Sequence, residues 1–281
     1  MSTDNTMTGA ALSPEDLEEV RLYAGKFRIL IIGRANAGKT TILQKVCKTN
    51  ELPEVFDYAG YEVDQAGILD PSARRGMHDI NHRLVFKSNP AFVFHDSRGF
   101  ESGGVDELEA VKEFIAERAK HEELGDQLHA IWYCLPMDNS RPITRAEEIF
   151  FNEVGTGRVP VILIFTKFDG FVKSKFAEIL DQVSDWSQAP AIALKEAIAD
   201  FEKLQPSLAI YKYKYPPKKH VRLQDMDQPE ASCQELIEQT SAALDNRALA
   251  QILIATQQNS AILSTAWAMG KLTLNYSLHI V

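Results

Sequence analysis

Apolar positions along this chain fall into short continuous runs separated by stretches with helical spacing. "FRILIIG" (27–33), "HAIWYCLP" (129–136) and "VPVILIFTK" (159–167) are nearly unbroken apolar runs, the pattern of strands covered on both faces. "HRLVFK" (82–87) and "AFVFHD" (91–96) are two further strands, with the turn signal "SNP" between them. They lie too close for a crossover, so they are predicted to form an antiparallel hairpin. "HVRLQ" (220–224) is the last predicted strand. Helices are predicted over "GKTTILQKVCK" (38–48), "DELEAVKEFIAERAKH" (106–121), "RAEEIFFNEV" (145–154), a long region from about 172 to 205, and "ASCQELIEQTSAAL" (231–244). Strands alternating with helices predict an α/β fold, with a mostly parallel sheet covered on both faces.

The ends differ from this core. Residues 1–12 are small and polar and are expected to be disordered. "SPEDLEEVRLYAG" (13–25) is a helix start, with Ser13 as N-cap, Pro14 in the first turn and acids at the positive end. The expected organisation is an N-terminal extension over 1–25, a core domain over 26–245 and a C-terminal extension over 246–281. That last part contains the amphipathic "NRALAQILIATQQ" (246–258) and an apolar tail broken by Gly270 and Lys271. The expectation is that it packs onto the body, because an exposed apolar patch of that size invites aggregation.

Composition narrows the class. The chain has 281 residues, 45% hydrophobic and 25% charged, which is ordinary for a globular protein able to bury a core. A net charge of -9 argues against a generic nucleic-acid binder. Cys47, Cys134 and Cys233 have no zinc or redox spacing and are expected to be buried thiols in a reducing compartment. There is no secretory pattern at the N-terminus and no run of about 18 apolar residues, so no spanning helix is expected and the expected location is cytoplasmic.

The chemistry begins directly after the first strand. "GRANAGKTT" (33–41) fits G-x-x-x-x-G-K-[ST] through Gly33, Gly38, Lys39 and Thr40. Glycines let the backbone turn tightly, so that successive N–H groups, including those near Ala37 and Thr41, point at phosphate oxygens. The following helix adds its positive end. Lys39 is placed to reach the outer phosphates, and the Thr40 hydroxyl to ligate Mg2+. "FVFHDSRG" then sets Asp96 at the end of an apolar strand with Gly99 three residues on. An acid there can hold the Mg2+ shell, and the glycine amide can sense a γ-phosphate. "VILIFTKFD" ends its strand with Thr166, Lys167 and Asp169. A carboxylate at Asp169 accepts from guanine N1 and the exocyclic amine, a donor pair that adenine lacks, and the Lys167 stem can cover the base.

The three motifs in this order resemble the P-loop GTPases of the translation-factor-related class, of Era-like and ribosome-binding type, and fungal G domain-containing proteins. The resemblance covers about residues 26–245. It implies a three-layer P-loop NTPase G domain binding GTP or GDP with Mg2+, and slow hydrolysis that serves a molecular switch. It also implies a loop after the last strand that touches the base, here Gln224 and Asp225, although the usual Ser-Ala-Lys is absent. A homodimer or a regulatory protein is the implied partner.

The chain departs from the pattern in two places. Ras-like GTPases carry a water-orienting glutamine where this chain has Phe100, so hydrolysis by the isolated chain is expected to be slow. Era-like GTPases share the apolar residue, and some use an asparagine at the position of Asn36 to bind K+; Asn36 is read either so or as a loop-shaping residue. No threonine lies between Thr49 and Thr144, so the Mg2+ ligand expected from the first switch is missing. Ser72 is the substitute metal-ligand candidate. Arg75 is the candidate catalytic charge, with Arg74, His78, Arg34 and Arg98 behind it. Gly99, Gly103 and Gly104 suggest a mobile second switch. If turnover is absent, the alternative is a septin-like, nucleotide-loaded assembly module. "YKYKYPPKKH" (211–220) is read as a loop with solvated lysines, with an anionic surface as the other reading, and Asp138 and Arg141 are assigned no catalytic part.

Overall fold

The computed structural model describes residues 26–63, 79–97, 105–138, 143–180 and 186–257. The elements follow in the order β1 (Phe27–Gly33), α1 (Lys39–Val46), β2 (Glu54–Phe56), β3 (Arg83–Phe86), β4 (Asn89–Asp96), α2 (Val105–Arg118), β5 (Ala130–Pro136), α3 (Arg145–Glu153), β6 (Val161–Thr166), α4 (Phe168–Ile179), α5 (Ala189–Leu204), β7 (Lys219–Arg222), α6 (Gln234–Ala243) and α7 (Arg247–Thr256). Among the described residues the strands form a seven-stranded sheet in the order β2-β3-β4-β1-β5-β6-β7. The pairs β4–β1, β1–β5, β5–β6 and β6–β7 are parallel, whereas β2–β3 and β3–β4 are antiparallel. The α/β class and the hairpin expected from sequence are thus observed, with a register shift between Leu84 and Phe86.

The central strands are buried throughout, which explains their unbroken apolar runs. Alternate residues of β1 serve opposite layers. Phe27, Ile29 and Ile31 pack with Ile42 and Leu43 of α1, Leu236 and Ile237 of α6, and Ile252 and Leu253 of α7. Leu30 and Ile32 face Val111 and Phe114 of α2, Phe150 and Phe151 of α3, Phe168 of α4 and Phe201 of α5. Helix α7 touches β1, β4 and α6, and Asn89 donates to the Thr256 carbonyl at its last turn (2.8 Å). Trp132 donates to Thr240 Oγ1 of α6 at 3.0 Å, which fills an otherwise unpaired indole N–H in the core.

Two readings change. The region 172–205 is not one helix: α4 starts earlier, at Phe168, and α5 begins at Ala189 with Pro190 in its first turn, where proline is tolerated. The short edge strand β2 was not anticipated, because three residues between a proline and a turn give no period to read. Helix α3 begins at Arg145, where the sequence reading put it, with Thr144 as N-cap in a capping box with Glu147. No helix among the described residues is long and apolar enough to cross a membrane.

Candidate nucleotide site

The site forms at the carboxyl ends of β1, β4, β5 and β6, where a parallel sheet presents its loops. The β1–α1 loop is held by glycine geometry. Gly33 passes so close to β5 that a Cβ there would lie 2.7 Å from the Cys134 carbonyl oxygen. Gly38 caps α1 at φ 82°, a conformation that side chains rarely adopt. Asn36 sits at φ 59°, which asparagine tolerates better than most residues. Ala37 is buried, and its N–H closes a turn onto the Arg34 carbonyl at 3.2 Å. The first turn of α1 carries no acidic residue and no side-chain cap, so its N–H groups and its positive end are free to meet an anion.

Lys39 is folded back over this loop. Its ammonium donates to the carbonyls of Gly33 (3.1 Å) and Arg34 (3.3 Å) and lies 3.7 Å from Asp96 Oδ1. Burial pushes the Asp96 carboxyl up to about 6, against the pull of Lys39. Asp96 Oδ1 is enclosed and has no hydrogen-bond donor. An enclosed carboxylate oxygen without a donor is one oxygen ligand of the kind Mg2+ takes, and Thr40, exposed in the first turn of α1, carries the hydroxyl that the sequence motif assigns to the same ion. Among the described residues no group of three or more His, Cys, Asp or Glu could hold a metal by itself.

A cleft of about 570 Å³ runs from Gly38 and Thr41 at the loop to Thr166, Lys167, Asp169 and Asp225 at its far end. Lys167 adopts the left-handed conformation (φ 53°) as N-cap of α4, which places Asp169 in the first helical turn. Asp225, also left-handed at φ 50°, donates its N–H to Asp169 Oδ1 (3.4 Å). Lys173 pairs with Asp169 Oδ2 at 2.9 Å. Partial burial works against the charged Asp169 carboxyl, but the Lys173 and Asp225 hydrogen bonds hold it below the usual carboxylate range. The Gln224 amide donates to the Asp225 carboxylate at 3.1 Å, which ties it to that residue's own side chain.

The structure therefore brings Gly38, Thr41, Thr166, Lys167, Asp169 and Asp225 to one cleft and sets Lys39 against Asp96. Ser72, Arg74, Arg75, His78, Arg98, Gly99, Phe100, Gly103, Gly104 and Arg141 lie outside the described residues. Arg34, one of the candidate charges, is bound to α3. Its guanidinium spans both Glu147 oxygens (3.3 and 2.8 Å), and Glu147 is fully buried and also accepts from Thr144. Sequence reading passed over Asp138. It lines the cleft, pairs with Lys167 Nζ at 2.8 Å, and packs so close to α4 that a Cβ on Gly170 would lie 2.8 Å from its own Cβ. Its position at the end of an apolar strand, like that of Asp96, was the signal that was available. Of the segment 211–220, residues 212–218 form the loop into β7, which takes in Lys219 and His220: Tyr215 N–H donates to the Phe151 carbonyl (2.8 Å) and Lys218 pairs with Asp245.

No family model matches the chain, and no curated protein does. Among solved structures, a point variant of Aquifex aeolicus Era bound to GDP·AlF4− aligns at 18% identity over 75% of this chain, with a TM-score of 0.38; this chain spans about half of that one, 54%. The FeoB G-domain from Methanococcus jannaschii aligns at 18% identity over 79% of this chain and 99% of its own, with a TM-score of 0.40. Era in complex with MgGDPNP and a 16S ribosomal RNA fragment aligns at 17% identity over 77% of this chain and 56% of its own, with a TM-score of 0.39. All three scores lie below 0.5, and the functional assignment rests on the geometry of the site.

Proposed function

We propose that this chain binds guanine nucleotide with Mg2+, hydrolyses GTP slowly to GDP and phosphate, and acts as a molecular switch. The observation that carries the reading is the single cleft joining the phosphate-type loop at Gly38 to the carboxylate of Asp169. The loop's glycines and the uncapped start of α1 suit phosphates, Thr40 and Asp96 suit Mg2+, and Asp169 suits the N1 and amine donors of guanine. Lys39, now occupied by two carbonyls and Asp96, exchanges these partners for phosphate oxygens when nucleotide enters. Bound Mg2+ supplies charge neutralisation between the phosphates. Phe100 provides no water-orienting group, so turnover by the isolated chain falls on the order of 10⁻⁴ s⁻¹, as in unassisted switches. A dimer, a regulatory partner or K+ near Asn36 raises it. Three free, buried thiols suit a reducing, cytoplasmic setting.

Single-turnover hydrolysis of GTP, measured against protein concentration with ATP as the competing substrate, tests the reading. A slow rate with GTP alone that rises with concentration supports a switch assembled by dimer formation. Equal use of ATP refutes guanine selection. Intact GTP recovered from the purified protein, with no hydrolysis under any condition, replaces the enzyme with a septin-like assembly module.

A further inference from the structure

The opposite end of β1 holds a group that the nucleotide site does not use. Arg28 is buried at 3% exposure in the central strand. It donates from Nη1 to His95 Nε2 (2.8 Å) and from Nη2 to the Gly125 carbonyl (3.2 Å) and Asp126 Oδ1 (3.1 Å). Its backbone N–H donates to His129 Nδ1 at 2.9 Å. An arginine cannot accept, so both imidazoles are fixed as neutral tautomers, and their remaining N–H groups donate to the carbonyls of Ile80 and Leu124. Arg118, at the end of α2, is 6% exposed. Among the described residues it makes only a ring contact with Phe114 and has no hydrogen bond or ion pair. The Nε groups of Arg28, Arg83 and Arg118 are all enclosed and unpaired. Arg118 and Arg83 act on Arg28 as repelling charges, as Arg83 and Arg28 do on Lys26. Arg28 pairs with Asp126, itself half-exposed, and Arg83 lies over the Phe56 ring and donates to the Asp57 backbone carbonyl at 3.4 Å.

An enclosed guanidinium N–H without an acceptor is costly, and Asp126 pairs with Arg28, which leaves Arg118 with no carboxylate among the described residues. The chain enters this place directly from an acidic stretch: "SPEDLEEVRLYAGK" ends at Lys26 and carries Glu15, Asp16, Glu18 and Glu19. Glu18 and Glu19 are eight and seven residues before Lys26, a reach of about 12 Å as helix and about 27 Å extended. We propose that the Arg28–Arg83–Arg118 cluster is the docking site of this chain's own acidic segment, with Glu18 or Glu19 on Arg118. Tethering favours that segment over a free anion, because a linked acid acts at an effective concentration in the millimolar range. The docked segment then fastens the lower end of the strand pair that carries the phosphate loop and Asp96.

A double-mutant cycle on the full chain tests this. Neutralising the segment (Glu15→Gln, Asp16→Asn, Glu18→Gln, Glu19→Gln) lowers the folding equilibrium constant about tenfold in the wild-type background and less than twofold alongside Arg118→Met. Equal losses in both backgrounds overturn the proposal. So does stabilisation of the wild-type chain by millimolar inorganic phosphate that Arg118→Met abolishes, since the cluster would then be open to an outside anion. Trypsin cleavage after Arg21 needs no variant. Docking protects that bond at low salt and releases it in about 0.5 M NaCl, where charge pairs are screened; immediate cleavage in both salts refutes docking.

Discussion

The buried histidines give this protein a specific acid sensitivity. Burial holds His129 at about 4, with Arg28 adding to the effect and the hydrogen bond to Leu124 opposing it. A free histidine titrates near 6.5. The unfolded chain therefore binds this proton more readily than the folded one, so stability is complete above 6.5 and is lost as the pH falls from there towards 4. The loss from this one residue is about 2 kcal/mol between pH 7 and pH 5, and about 3 kcal/mol once the window is passed. His95 is lowered well below the usual value, by burial first and Arg28 second, and adds a loss of the same sign. Asp96, raised to about 6, acts in the other direction and returns about 1 kcal/mol over the same drop. The charges that act on the imidazoles are Arg28 on both, and Arg118 and Arg83 on His95. His129→Asn isolates the term, because the amide can accept from Arg28 N–H and has no proton to gain. Urea unfolding at pH 7, 6 and 5 should show the wild type losing about 2 kcal/mol more than the variant across that range. Parallel pH profiles for the two proteins would refute the reasoning.

Three further outcomes follow from the site. Gly170→Ala brings a Cβ to 2.8 Å from the Asp138 Cβ and 3.0 Å from its Cα, so the backbone at 138 must shift; this should weaken guanine nucleotide about fivefold or more by displacing Lys167 and cost about 1 kcal/mol or more of stability, and unchanged affinity by calorimetry refutes it. Arg34→Met leaves the fully buried Glu147 without its ion-pair partner and should cost about 3 kcal/mol in urea unfolding; a loss under about 1 kcal/mol would show that the donors Thr144 and Tyr133, whose hydroxyl lies 3.4 Å from Glu147 Oε1, suffice. If Asn36 holds a monovalent cation, GTP hydrolysis is faster in K+ than in Na+ at equal ionic strength and Asn36→Ala removes the difference. Equal rates in both salts leave the asparagine as the loop-shaping residue that its φ of 59° already explains.

Periodicity made the sheet legible because β1, β5 and β6 are buried on both faces, and such strands leave unbroken apolar runs. The hairpin was legible for a different reason, since two strands separated by three residues have one way to pair. What escaped was decided by tertiary contact. Residues 54–56 form a strand only because β3 offers them an edge. Arg28 looks like an ordinary charge at the start of a strand, and nothing local reveals that His95 and His129 close on it from 67 and 101 residues away. In the site, Lys39, Asp96 and Asp169 were read from local patterns at strand ends. Asp138 was passed over because its partner, Lys167, is 29 residues distant, and Glu147 because a helical glutamate usually faces water.

The central claim is that Asp169 selects guanine at the far end of the cleft that begins at the phosphate loop. Asp169→Asn exchanges a pair of acceptors for one acceptor and one donor, which suits the reversed polarity of xanthine. Titration of wild type and variant with GDP and xanthosine diphosphate, each with Mg2+, measures this directly. The account expects the wild type to prefer GDP and the variant to lose GDP by at least about a hundredfold while gaining xanthosine diphosphate. A variant that binds GDP as tightly as the wild type, or a wild type indifferent to the base, would contradict it.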